Sequence, residues 1–388
     1  MKTSILFFFA MLFSIATVSA QSPVNYDLVI TNARIVDGTG NPWFRGEIGI
    51  KDGRVVKVGR IDKTSAREVI DAHDQIVAPG FIDVHTHVED IFGNPSAENF
   101  VRMGVTSVIT GNCGGSATDI REFLDRYKTK PLAVNLATLI AHGSVRAKVM
   151  GLDDRAPTAD EQQKMNAMIE QGMKDGAVGL STGLIYVPGT FAKTDEVVDL
   201  AKAASKYGGT YASHIRDEGN DVAAAITEAI NIGEQAKMPV EISHFKISAK
   251  ALWGESPMTI GLVNAARTRG LTVTVDQYAY TASSTSLDVR LPNWVVAGGR
   301  AEGRKRVADP EMRKKIVVEM KDDLKKKHFK DYSFAYVASY RTNPEFNGKN
   351  IAEIAQMTRG KKKLDTQIDQ ILEMYDKGGA AMVYRVMD

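Results

Sequence analysis

The chain has 388 residues, 44% hydrophobic and 25% charged, proportions that exclude a disordered protein and allow one large core with a smaller unit beside it. Lys and Arg total 49 against 47 Asp and Glu, a net charge of +2, and so balanced a chain excludes nucleic acid as the expected partner. Its one Cys, Cys113, excludes a disulfide framework.

Residues 1–20 carry one early cation, Lys2, then an apolar run over 5–18 and Ser19-Ala20 before Gln21. That pattern predicts a secretory signal peptide, with a run too short to favour a membrane span. The expectation is a periplasmic or secreted protein with no stable membrane anchor after signal cleavage. A lone thiol in such a compartment needs a use other than pairing, and metal ligation is one.

Over residues 27–78 short alternating runs are broken by turns at Asp37-Gly38 and Asp52-Gly53. They predict a small antiparallel, sandwich-like β domain within 21–79. Pro79-Gly80-Phe81-Ile82-Asp83-Val84-His85-Thr86-His87 then leads an apolar strand into His-x-His. Two imidazoles at i and i+2 share one face of a strand, about 7 Å apart along it, which suits a common metal ion. Asp83 has the same parity one step deeper and is placed to orient a His from behind.

Six more apolar, β-branched runs follow, at 105–110, 132–139, 177–181, 209–213, 240–243 and 271–275, with helical patterns between them such as 196–206 and 221–237. Alternation of this kind implies a parallel sheet. The fold class expected is α/β, a (β/α)8 TIM-like barrel over 80–292 that lacks its eighth strand in this chain. Polar residues gather where the strands end: Asn112-Cys113, His142, Tyr186, His214 to Glu218, His244-Phe245-Lys246 and Asp276-Gln277-Tyr278. A TIM barrel uses that rim for chemistry.

The His-x-His strand, Gly111-Asn112-Cys113-Gly114, Gly179-Leu180-Ser181-Thr182-Gly183-Leu184-Ile185-Tyr186-Val187-Pro188-Gly189, Ser213-His214-Ile215-Arg216-Asp217-Glu218 and Ser243-His244-Phe245-Lys246 together resemble the D-aminoacylase (N-acyl-D-amino-acid deacylase) branch of the amidohydrolase superfamily. The similarity runs from about Asp27 to the end of the chain. It implies a tightly bound Zn²⁺ on Cys113, His214 and His244. It also implies a second, weaker position at His85 and His87 with Cys113 as bridge, since the fourth strand offers no Lys for that purpose. The ligand types suit zinc. The implied reaction is hydrolysis of the amide bond of a small N-acyl-D-amino acid, with Tyr186, Lys246, Arg216 and Ser283 or Ser284 as substrate contacts. For Arg216 a salt bridge to Asp217 or Glu218 is the alternative. His142 is assigned behind the ligands or facing the substrate.

The chain departs from the family in one respect. Members continue into an eighth strand with a catalytic Asp, and no residue here matches it; the sequence stops at Asp388. Residues 293–388 resemble the family's insertion between strands seven and eight, a helical and strand segment that serves as a lid. The expectations are a fragment of a longer protein or one completed by a partner, exposed edges on strands one and seven, and impaired turnover, since positioned proton-transfer groups are worth about 10²–10⁴-fold. A cyclic-amide or dipeptide amidohydrolase is the alternative enzyme, and a non-catalytic zinc-binding fragment the alternative to an enzyme.

Overall fold

The structure, a computed structural model, describes residues 26–62 and 66–387; the expected signal peptide lies outside them. The chain divides between Gly80 and Phe81 into two compact units.

The first unit is a sheet of β1 (Tyr26–Ile35), β2 (Phe44–Lys51), β3 (Arg54–Gly59), β4 (Ala66–Asp71) and β5 (Ile76–Val77). β2 runs antiparallel to both β1 and β3. Asp52 (φ 50°) and Gly53 (φ 70°) make the β2–β3 turn in the left-handed region, the two-residue hairpin that Asp-Gly favours. The antiparallel, sandwich-like expectation is corrected here: β4 and β5 join β1 in parallel, giving one mixed sheet among the described residues. Parallel partners are joined by crossovers, so their pairing leaves no local turn signal to read.

The second unit is built on an arc of parallel strands. β6 (Phe81–Asp83), β7 (Val105–Thr110) and β8 (Asn135–Thr138) form one sheet; β9 (Ile140–Ala141), β10 (Gly179–Gly183), β11 (Thr210–His214), β12 (Val240–Ile242) and β13 (Val273–Val275) form the next. β8 and β9 are one strand broken at Leu139, and the break passes the arc from sheet to sheet. The Leu139 N–H donates to the Thr110 carbonyl and the Val178 N–H to that of Thr138, each at 2.9 Å. All seven expected strands are therefore present, and they do not close into a barrel.

Helical stretches return the chain between strands. The helix Val222–Ala236 buries Val222, Ala225, Ile226, Ala229, Ile230, Ile232 and Gly233, the 3.6-residue stripe of a helix lying on a core. Each fully buried Leu, Ile or Val contributes about 1.5–3 kcal/mol, and this core includes Ile140, Ile169, Leu180, Val197, Tyr211 and Ile242. The arc's ends are different. β6 pairs only with β7 and β13 only with β12 among the described residues, and Phe81 and Ile82 are each 63% exposed. The ends nonetheless meet at the carboxyl rim, where His85, just after β6, lies 2.9 Å from Asp276, just after β13.

The remaining segment has its own antiparallel sheet, β14 (Ser283–Ser286), β16 (Ala381–Tyr384) and β15 (Ala335–Ser339) in that order. Its core gathers Leu287, Ile316, Tyr332, Ile368 and Tyr375 among others. Since β14 precedes residue 293, the segment starts earlier than the sequence suggests. No helix of the described residues is long and apolar enough to cross a membrane.

Candidate metal centre

The site is assembled from strand ends. Cys113 follows β7 in a left-handed conformation (φ 53°) between Gly111 and Gly114. A Cβ added to Gly114 would lie 2.6 Å from the Gly183 backbone nitrogen, so the turn presses directly on the end of β10. His214 closes β11, and His244, two residues past β12, is also left-handed (φ 39°). Non-glycine residues in this region carry about 1–3 kcal/mol of strain each and persist only where the surroundings over-determine them.

Cys113 Sγ lies 3.3 Å from His85 Nε2 and 3.5 Å from His244 Nε2. A tetrahedral zinc with Zn–S of about 2.3 Å and Zn–N of about 2.0 Å sets sulfur and nitrogen about 3.5 Å apart, so these separations fit. His244 Nε2 is 2.8 Å from His214 Nδ1, a hydrogen-bond length. The donors that lie within 4.8 Å of one another are His85, Cys113 and His244 in one group, and His214, Glu218 and His244 in the other. His244 belongs to both groups, whereas Cys113 and His214 share neither. His87 faces the same cavity, its ring centroid 5.5 Å from that of His85, outside both groups.

Carboxylates hold the rings from behind. Asp276 Oδ2 is 2.9 Å from His85 Nδ1, and its Oδ1 accepts the His244 backbone N–H at 2.6 Å. Glu218 Oε1 is 2.7 Å from His244 Nδ1 and also meets the Lys246 ammonium. On His85 the carboxylate keeps the proton on Nδ1 and turns the Nε2 lone pair toward Cys113, while His244 Nδ1 meets both the Glu218 carboxylate and, at 2.9 Å, the Lys246 ammonium. Asp83 takes the His85 backbone N–H instead, at 3.2 Å.

The charges suit a cation. Burial pushes the Cys113 thiol up, and the carboxylates of Glu218 and Asp276 add to it; thiolate there calls for a positive partner. Burial holds His214 well below the usual imidazole range, in the neutral form that ligates, and its Nε2 is buried with no hydrogen-bond partner among the described residues. Burial alone would raise Glu218, but Lys246, His214 and His244 outweigh it and keep the carboxyl well below its ordinary value. A divalent metal answers the thiol, the orphaned nitrogen and the acidic backing together.

Cys113, His214 and His244 open onto a cavity of about 580 Å³ that also meets Tyr186, Lys246, Tyr278, Ser283, Ser284 and Arg290. The Tyr186 ring lies 4.7 Å from that of His214, and its oxygen accepts from Thr285 Oγ1 at 3.2 Å. Ser284 donates to the Met382 carbonyl at 3.1 Å, while Ser283 lines the wall.

Arg216 departs from both sequence readings. Its guanidinium is forked onto Glu228, two bonds of 2.9 Å, and donates to the carbonyls of Thr190 and Ala192 at 3.1 and 3.0 Å. Neither Asp217 nor Glu218 is its partner, and its donors hold the wall instead of facing a substrate carboxylate. His142 is fully buried beside Glu196, behind the cysteine turn and outside the lining of the cavity. The guanidinium that faces the cavity without a carboxylate partner among the described residues is Arg290. Its Nε is buried and unpaired, and it stacks 4.6 Å over the Tyr384 ring.

One thiol and several imidazoles converging at the carboxyl ends of parallel strands define a metal-binding rim of the kind α/β barrels build. The chain belongs to the amidohydrolase family, whose model matches residues 68–273; a model of the urease alpha-subunit N-terminal domain matches 13–81. Among its relatives are a D-aminoacylase of Alcaligenes xylosoxydans xylosoxydans, 34% identical over 68% of this chain and 59% of its own length, and an N-acyl-D-glutamate deacylase of the same organism, 34% identical over 67% and 58%. The chain thus spans about three fifths of these curated relatives. A solved N-acyl-D-glutamate deacylase from Bordetella bronchiseptica, complexed with zinc and a phosphonate inhibitor, superposes with a TM-score of 0.77 at 30% identity, over 94% of this chain and 72% of that one.

Proposed function

We propose that this protein is a zinc-dependent deacylase of N-acyl-D-amino acids. The observation that carries the reading is the approach of the carboxylate-backed imidazoles of His85 and His244 to Cys113 Sγ, beside a cavity that Cys113 and His244 line, in a chain similar to deacylases of D-amino acids. His85, Cys113 and His244 would hold the zinc, with His214, which approaches His244, and His87 extending the donor set toward a second, weaker position. Bound zinc supplies Lewis acidity toward an amide carbonyl and toward water.

The protein's own groups do the rest. Asp276 and Glu218 orient rings, and each already carries several hydrogen bonds, so neither is assigned as the proton carrier. Burial keeps the Tyr186 hydroxyl protonated; as it accepts from Thr285, its own hydrogen is free to meet an acyl oxygen. Lys246 and Ser283 flank the bound substrate. Arg290 supplies the planar fork that pairs with a carboxylate, which favours acidic substrates of the kind named for the D-glutamate and D-aspartate relatives. The substrate is thus a small molecule, and the signal-like pattern of residues 1–20 supports a reaction in the periplasm or outside the cell.

The test is hydrolysis of N-acetyl-D-glutamate, N-acetyl-D-leucine, their L-enantiomers and a hydantoin by purified protein of measured zinc content. D-selective release of the amino acid, abolished by a chelator and restored by zinc, is expected, with D-glutamate ahead. Hydantoin opening without deacylation would favour the cyclic-amide reading. Bound zinc with no hydrolysis would leave a metal-binding protein only.

A further inference from the structure

Behind the cysteine turn, outside the lining of the cavity, lies a charged group. His142, Arg146 and Glu196 are buried to 0, 0 and 5% exposure. His142 opens the helix His142–Met150 directly after β9, Arg146 lies one turn along it, and Glu196 comes from the helix Thr194–Ser205. Glu196 Oε1 is 3.0 Å from both His142 Nε2 and Arg146 Nε. Arg146 also donates to the carbonyls of Asp153 and Arg155 at 3.3 and 2.6 Å. His142 Nδ1 and Glu196 Oε2 have no hydrogen-bond partner among the described residues. As a source of stability this is a poor arrangement, since a buried ion pair is often matched or bettered by apolar residues of similar volume.

Its neighbours indicate its use. Residues 141–144 clamp the turn that presents Cys113. The Ser144 N–H donates to the Gly114 carbonyl at 3.1 Å, the Ser116 N–H to Ser144 Oγ at 3.0 Å and the Ala141 N–H to Ser116 Oγ at 2.9 Å. Gly143 sits so close that an added Cβ would lie 2.6 Å from the Gly114 carbonyl oxygen. On its other side His142 faces Gly189, where an added Cβ would stand 3.7 Å from Nδ1 and 2.6 Å from the Gly183 carbonyl oxygen. That glycine follows the turn bearing Tyr186. His142 thus stands between the turns carrying Cys113 and Tyr186, and the left-handed Cys113 backbone needs such support.

We propose that His142, anchored by Glu196 and Arg146, is a positioning residue that holds the Cys113 turn in the geometry for a thiophilic divalent metal. The inference rests on the zinc reading, but its test does not depend on hydrolysis. Cys113 is the only thiol in the chain, so a thiol reagent reports this turn alone.

In the full chain, His142→Phe fills the volume without the hydrogen bond, and Glu196→Gln removes the charge while keeping the shape. Tyr332→Phe, in the separate C-terminal core, is the control. The readouts are the rate of Cys113 modification by dithiobis(nitrobenzoate) in metal-free protein, the zinc Kd by chelator competition, and Tm. Both site variants are expected to react faster and to bind zinc about 10–100-fold more weakly, the cost typical of groups supporting metal ligands. Tyr332→Phe is expected to lower Tm and move neither readout. Thiol reactivity and zinc Kd indistinguishable from wild type in folded His142→Phe overturn the inference while leaving the deacylase reading intact; if that variant does not fold, Glu196→Gln decides by the same criterion. Wild-type protein that binds no zinc overturns both, whereas zinc binding without hydrolysis counts against the deacylase reading alone.

Discussion

The middle of the arc and its two ends are made from the same strand-and-helix repeat, yet differ in what covers them. Every residue of β10 is buried, and Leu180 and Tyr211 are 0% exposed. At the ends, Phe81 and Ile82 of β6 are 63% exposed and Val275 of β13 is 39% exposed. The metal centre draws on both: His214 comes from the closed middle, His85 from one open end and Asp276 from the other. Packing fixes the first, whereas the His85–Asp276 contact at 2.9 Å is what ties the ends together. The site is therefore a clasp on the arc as well as a place for chemistry.

Three changes of decreasing size sharpen that contrast. Leu180→Ala in the closed middle is expected to cost about 2–5 kcal/mol, as large-to-small core substitutions do, measured by urea unfolding. Asp276→Asn removes the charge behind His85 and should weaken zinc binding about 10–100-fold. It should also speed amide exchange in β6 and β13 while leaving β10 protected; equal protection throughout would break the clasp. Ile82→Thr at the open edge should change stability by no more than about 0.5 kcal/mol, with less self-association in sedimentation, because an exposed apolar edge invites pairing. A loss as large as that of Leu180→Ala would mean that the ends are packed like the middle.

Much of this was legible in the sequence because it was local. Seven apolar runs alternating with helical patterns gave the parallel strands, and the polar residues at their ends gave Cys113 and His244 as neighbours although 131 positions separate them. Asp276 was visible at the end of β13 by the same rule, but nothing local tells a ring-backing carboxylate from a solvated one. Glu218 stood inside a motif without a role for the same reason. Arg216 pairs with Glu228 because the helix Val222–Ala236 folds back beside it, a direction that spacing does not report. The parallel joining of β4 and β5 to β1, the burial of His142 on Glu196 and the lack of a carboxylate partner for Arg290 among the described residues depend on tertiary packing alone.

The central claim is that the single sulfur of Cys113 and the strand-end imidazoles share one metal ion. X-ray absorption at the zinc edge of protein loaded with one equivalent tests it directly. One sulfur at about 2.3 Å with nitrogen or oxygen neighbours at about 2.0–2.2 Å is the expected shell, and the sulfur should vanish in Cys113→Ser. A shell without sulfur in the wild-type protein would contradict the account.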